Sequence, residues 1–96
     1  DYSTIEEDLK NAAYQYQKEY LPNMNSGDVE YVTATKLEEL ELLDNLTNGD
    51  ILCTGYAKIT YDNGKNDVMA FINCGDYITE GYNEELVLPW AKFNLL

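Results

Sequence analysis

The sequence predicts an α+β fold in which an N-terminal amphipathic helix packs on a small antiparallel sheet built around a disulfide-closed β-hairpin. Three observations carry this. An apolar stripe recurs at helical spacing near the start of the chain, two strand-like runs flank Asn63-Gly64, and Cys53 and Cys74 fall opposite each other if that dipeptide is the turn. Ninety-six residues make a single domain, 1–96, able to bury roughly 60–65% of its unfolded surface.

The first element is a helix over residues 4–20. Ser3-Thr4-Ile5-Glu6 has capping-box spacing, and Glu6, Glu7 and Asp8 follow in what reads as the first turn, where the helix dipole favours negative charge. Ile5, Leu9, Ala12, Tyr16 and Tyr20 form a narrow stripe, and Pro22 stops the run. Tyr14 lies on the opposite side at 100° per residue. It reads as either an ordinary exposed tyrosine or a contact with another molecule.

Asn23 to Asp28 is polar and glycine-containing, hence a loop. Glu30 to Val32 has the character of a short strand. Thr35-Lys36-Leu37-Glu38 repeats the capping-box pattern, and Leu37, Leu40, Leu42 and Leu43 supply an apolar edge, predicting a short helix over 35–43. Asn48-Gly49-Asp50 then turns the chain into the central hairpin, 51–74. Asn45-Leu46-Thr47 matches a glycosylation sequon, a motif short enough to recur by chance.

Asn-Gly is the strongest short hairpin signal because a type I′ turn needs positive φ at both central residues. With Asn63 and Gly64 as that turn, Asp62 faces Lys65, Thr60 faces Asp67, Ile59 faces Val68 and Cys53 faces Cys74. Counting outward, the cysteines occupy a non-hydrogen-bonded pair, where side chains approach closely enough to bridge. Cys53, Gly55, Ala57, Ile59, Val68, Ala70, Ile72 and Cys74 share one face, kept shallow by glycine and alanine. A helix can lie there. A bridged pair in turn implies an oxidising, extracytoplasmic compartment. The C-terminal segment, 84–96, carries Leu86, Val87, Leu88, Trp90, Phe93, Leu95 and Leu96. It is too apolar to stay in water and is expected to pack beside Tyr56 and Phe71, or as an added edge strand.

The sequence offers little for chemistry. There is no histidine, which removes the usual general base and commonest metal ligand. No nucleotide-binding loop or nucleophile elbow appears. Asp62, Asn66 and Asp67 lack calcium-loop spacing, and Glu38, Glu39 and Glu41, or Glu84 and Glu85, read as solvated acidic faces. No catalytic, cofactor or metal site is expected, and the chain is read as something other than an enzyme. Eighteen acidic residues against six basic ones give a net charge of −12, which repels nucleic acid and anionic lipid.

Taken in order, IEEDLKNAAYQYQKEYLP, VTATKLEELELLDNL, CTGYAKITYDNG and AFINCGDYITEGYN resemble the soluble portion of type IV pilin-like proteins of Gram-positive bacteria. The likeness covers about Asp1 to Asn83. It rests on Leu37, Leu42, Leu43, Cys53, Gly55, Tyr56, Cys74, Tyr77, Thr79, Gly81 and Tyr82. What it implies is the head of an extracellular, cell-surface filament subunit, a pilus or pseudopilus component, whose membrane contact runs only through an upstream hydrophobic helix outside these residues. Its partners would be copies of itself or related pilin subunits. Tyr14 and the polar side of the helix would meet neighbours, while the 23–28 loop and the Gly75 to Tyr82 stretch face outward. A second reading is a small secreted adhesin whose Tyr77 and Tyr82 contact a surface ligand. A third, an acidic inhibitor, rests on the charge alone.

Overall fold

The computed structural model describes residues 1–88 and shows an α+β domain. The chain runs through helix α1 (Tyr2–Tyr20), strand β1 (Val29–Thr33), helix α2 (Ala34–Glu39), and the two-residue strands β2 (Thr47–Asn48) and β3 (Ile51–Leu52). The long strands β4 (Thr54–Asp62) and β5 (Lys65–Asn73) follow, then a single 3₁₀ turn (Glu84–Leu86). Of the apolar segment expected at 84–96, the part beyond Leu88 lies outside the described residues.

Helix α1 begins earlier than the capping-box spacing predicts. Asp1, not Ser3, is the N-cap: its Oδ1 accepts from the Ser3 and Thr4 amides at 2.8 and 3.4 Å and from the Ser3 hydroxyl at 2.7 Å. A carboxylate is the stronger acceptor for orphan amides at a helix start. Glu6, Glu7 and Asp8 therefore fall in the second turn, not the first. The buried line is Ile5, Leu9, Ala12, Ala13 and Gln17, with Tyr16 half-buried and Tyr20 exposed, so the expected stripe holds only in its first half. Gln17 displaces Tyr20 because its amide is satisfied: Nε2 donates to the Leu21 carbonyl at 2.9 Å and Oε1 accepts from Asn66 Nδ2 at 2.7 Å. A buried polar group with partners costs little.

The three-stranded antiparallel sheet has the order β1-β4-β5. The β4–β5 ladder runs from Asp62↔Lys65 to Thr54↔Asn73, the register that the Asn63-Gly64 turn dictates. Both turn residues have positive φ, 50° and 79°, as type I′ requires. Strand β1 adds antiparallel to β4, with Val29 opposite Thr60 and Thr33 opposite Tyr56. Helix α1 lies on the shallow face over Ala57, Ile59, Val68 and Ile72, all buried in one core with Leu9 and Leu37.

Two local expectations are corrected. Helix α2 spans Ala34–Glu39 rather than 35–43, with Thr33 as N-cap, its Oγ1 accepting from the Lys36 amide at 3.1 Å. It ends because Glu41 takes a left-handed φ of 61° and the Leu42 amide reaches back to the Leu37 carbonyl at 2.9 Å. That is the hydrogen bond of a Schellman stop, and Leu42 and Leu43 pack against the core from the loop beyond it. At the hairpin's open end, Ile51 and Leu52 pair with Asn48 and Thr47 and not with the strand across. β5 finishes at Asn73 and the chain turns away after Cys74, so nothing remains opposite Ile51 and Leu52 to complete the longer ladder.

Candidate interaction surface

The disulfide forms as the register predicts. Cys53 and Cys74 are bonded, with Cα atoms 4.3 Å apart, close to the spacing of a non-hydrogen-bonded antiparallel pair. From Cys74 the chain reverses at Gly75, whose φ is 87°. It then returns along the outer edge of β5: the Cys74 amide donates to the Tyr77 carbonyl, the Thr79 amide to the Ile72 carbonyl, and the Ile72 amide to Thr79 Oγ1, at 2.9, 3.0 and 3.0 Å. Residues 74–83 thus form a strap joined by backbone bonds to the sheet at the disulfide.

Beneath the strap lies a cluster that no local pattern announces. Tyr2 and Tyr77 stack with ring centroids 4.5 Å apart. The Tyr2 hydroxyl donates to Asp76 at 2.7 Å, and the Tyr77 hydroxyl donates to Glu6 Oε2 at 2.9 Å, an oxygen that also accepts from Thr79 Oγ1. The carboxylate acceptors hold both phenols above their ordinary pKa, with Glu6 acting on Tyr77 and Asp76 on Tyr2. They therefore stay protonated and able to donate. Glu6, read from sequence as a helix-start charge, is a side-chain anchor for a segment more than seventy residues away. Long-range pairing of that kind leaves no trace in sequence spacing.

The strap then crosses to the other face of the sheet. Tyr82 packs on Tyr56, centroids 5.6 Å apart, and shares a 2.7 Å hydrogen bond with the Thr54 hydroxyl. Tyr56 stacks on Phe71 at 4.9 Å and accepts from the Asn83 amide at 3.0 Å. Burial is the main cause that pushes the Tyr56 and Tyr82 phenols upward. Among the described residues Gly81 lies against Phe71 and Tyr82 against Tyr56, and most of the 84–96 segment expected there lies outside the described residues. Tyr77 and Tyr82, the candidate ligand contacts, both have their hydroxyls committed inside the domain.

The structure does not bring the remaining candidates together with the strap tyrosines. Tyr14 is half-buried and packs against the edge of the core, so its ring does not project from the far side of α1 as the helical wheel suggests. The 23–28 loop clasps the hairpin tip: the Gly27 amide donates to the Tyr61 carbonyl at 2.9 Å and Ser26 Oγ accepts from the Asn63 amide at 3.1 Å. Asn66 turns its amide toward Gln17 under α1 while the adjacent Asp67 points to the opposite face, so the two do not converge on one ion. Among the described residues, nothing covers the outer sheet face beyond Tyr82 along the row Tyr31–Lys58–Met69, where Tyr31 is 47% and Met69 52% exposed. Among the described residues no helix is long and apolar enough to cross a membrane.

The chain matches no family model, and comparison with curated proteins and with solved structures gives no match.

Proposed function

We propose that this domain is the head of an extracellular filament subunit, resembling those of type IV pilin-like or pseudopilus proteins. One observation carries the reading. The first two turns of α1 are tied by Tyr2 and Glu6 to a strap that is itself held to the sheet beside the disulfide. A subunit loaded through its leading helix needs that helix fastened to the sheet where the load enters. Side-chain bonds from both Tyr2 and Glu6, with a covalent bridge beside the strap, meet that need.

The residues on which the resemblance rests support it further. Leu37, Cys53, Gly55, Tyr56 and Cys74 are buried. Tyr77, Thr79, Gly81 and Tyr82 lie in the strap, which stacks Tyr77 on Tyr2 and packs Tyr82 on Tyr56. Partners under this proposal are copies of this chain or related subunits, meeting it through the polar side of α1. The disulfide is consistent with assembly outside the cytoplasm. The role of such a filament, in adhesion, motility, DNA uptake or secretion, depends on the partners it engages.

The test is to express the complete gene in its native host and stain the cells with an antibody raised against this domain. Labelled surface filaments, with the subunit recovered in oxidised form, are expected. A translated gene without a hydrophobic, processed segment ahead of Asp1, or cytoplasmic protein with two free thiols, would overturn the proposal.

A further inference from the structure

Strand β1 is an edge of the three-stranded sheet, and its ladder with β4 fixes where its backbone groups point. The Tyr61 amide donates to the Asp28 carbonyl at 3.2 Å, so by antiparallel alternation Glu30 and Val32 exchange the ladder bonds with Ile59 and Ala57. The N–H groups of Val29, Tyr31 and Thr33, and the C=O groups of Val29 and Tyr31, therefore point away from β4. None of them meets a backbone partner among the described residues. The far edge differs, because there the strap bonds to Ile72. Strand β1 contains neither lysine nor proline, residues that keep many edges from pairing. Val29 and Tyr31 on the outer face are 48% and 47% exposed, and Glu30 on the inner face is exposed as well.

We infer that β1 pairs antiparallel with β1 of a second copy, about a two-fold axis at Tyr31, making one continuous sheet of the two. The unpaired groups call for an extended main chain, and their order makes this strand complementary to itself. With Tyr31 opposite Tyr31, these two residues exchange both bonds, and each Thr33 amide reaches the Val29 carbonyl of the other copy. Charge and capping fix the register. An axis at Glu30 would set Glu30 directly opposite Glu30, which like charges oppose. An axis at Val32 would draw on the Thr33 carbonyl, which as the N-cap of α2 serves the first helical bond. Centred on Tyr31, Glu30 faces Val32 instead, and the outer-face row Met69–Lys58–Tyr31 continues into its own mirror order in the second copy. The contact is small: five residues make a strip about 17 Å long, less than the roughly 1,000 Å² of a durable interface demands. Each copy also carries −12, so pairing is transient in dilute solution and strengthens as salt screens the repulsion. This inference stands apart from the filament reading, since the edge pairs or fails to pair whether or not subunits assemble.

The experiment dilutes the full, ¹⁵N-labelled chain about fifty-fold from about 1 mM, a range that covers weak contacts, in about 0.5 M salt to screen the charge. The amides of Val29, Tyr31 and Thr33 should shift on dilution while those of Glu30 and Val32 stay nearly still, and the sedimentation coefficient should fall toward that of one copy. Tyr31→Lys, which places two cations opposite each other at an exposed position, should weaken association about tenfold. Under mild oxidation Tyr31→Cys should cross-link at least about tenfold faster than Glu30→Cys, because a hydrogen-bonded pair has the Cα spacing of about 5.5 Å that a bridge needs. Spectra that do not change with concentration, or equal cross-linking of the two cysteine variants, would overturn the inference. So would slow exchange of the Val29 and Tyr31 amides that persists at the lowest concentration, which would give the edge to another part of the same chain.

Discussion

Gly55 sits where no side chain fits. A Cβ built there would lie 2.9 Å from Leu46 Cδ1, 3.0 Å from the Phe71 carbonyl oxygen and 3.1 Å from Leu9 Cδ2. The backbone oxygen belongs to the paired strand and cannot step aside, so Gly55→Ala should cost about 1–3 kcal/mol, read as a lower urea midpoint with an unchanged slope. The phenols under the strap make a second residue-scale prediction. Tyr2 and Tyr77 are raised above the ordinary 10.0, so the folded state holds their protons more tightly than the unfolded state does. Their contribution is present in full below about pH 10 and is lost as pH rises through the folded values. Urea midpoints should therefore fall as pH rises above about 10, and less steeply in Tyr77→Phe, which keeps the ring and removes the titrating group. A wild-type profile that is flat through this range would mean that the hydroxyl–carboxylate bonds contribute nothing.

Among the elements, the bridge between β4 and β5 has the largest single effect. It closes a loop with a sequence separation of 21, for which chain entropy predicts about 3 kcal/mol. Replacing both cysteines by alanine should remove about that much in chemical denaturation. Amide exchange in that variant should quicken first at Thr79 and Tyr82, since the strap loses its covalent anchor while the β4–β5 ladder keeps its own turn and register. The end of α2 offers a change in the other direction. Glu41 holds φ at 61°, a conformation that favours glycine, and places a negative charge at the helix C-terminus, where the dipole opposes it. Glu41→Gly should raise stability by about 0.5–1 kcal/mol, visible as a higher thermal midpoint.

For the whole molecule the deciding quantity is charge. A net −12 is confined to a domain with a radius of gyration of 13.2 Å. At 0.01 M salt the screening length of about 30 Å spans the domain, so nearly all carboxylates repel one another, whereas at 0.1 M it shrinks to about 10 Å. The melting temperature should rise by a few degrees over that interval and then level off, as self-repulsion is screened. A melting temperature that falls with added salt would mean that local ion pairs outweigh the repulsion.

Local chemistry was enough for the helix, the hairpin register and the cysteine pairing, because a 3.6-residue stripe, an Asn-Gly turn and a period-2 alternation each constrain neighbouring residues through rigid backbone geometry. The same reasoning misplaced both helix starts, since a serine or threonine in capping-box spacing loses to an acceptor two residues earlier, Asp1 in α1 and Thr33 in α2. It also exchanged Tyr20 for Gln17 in the core, because hydrophobicity alone does not show that an amide will find Leu21 and Asn66. The strap over Glu6 and the stacking of Tyr2 on Tyr77 were decided only by tertiary structure. Each depends on residues brought together from distant parts of the chain, and which of them meet is set by how the helix, sheet and disulfide pack against one another.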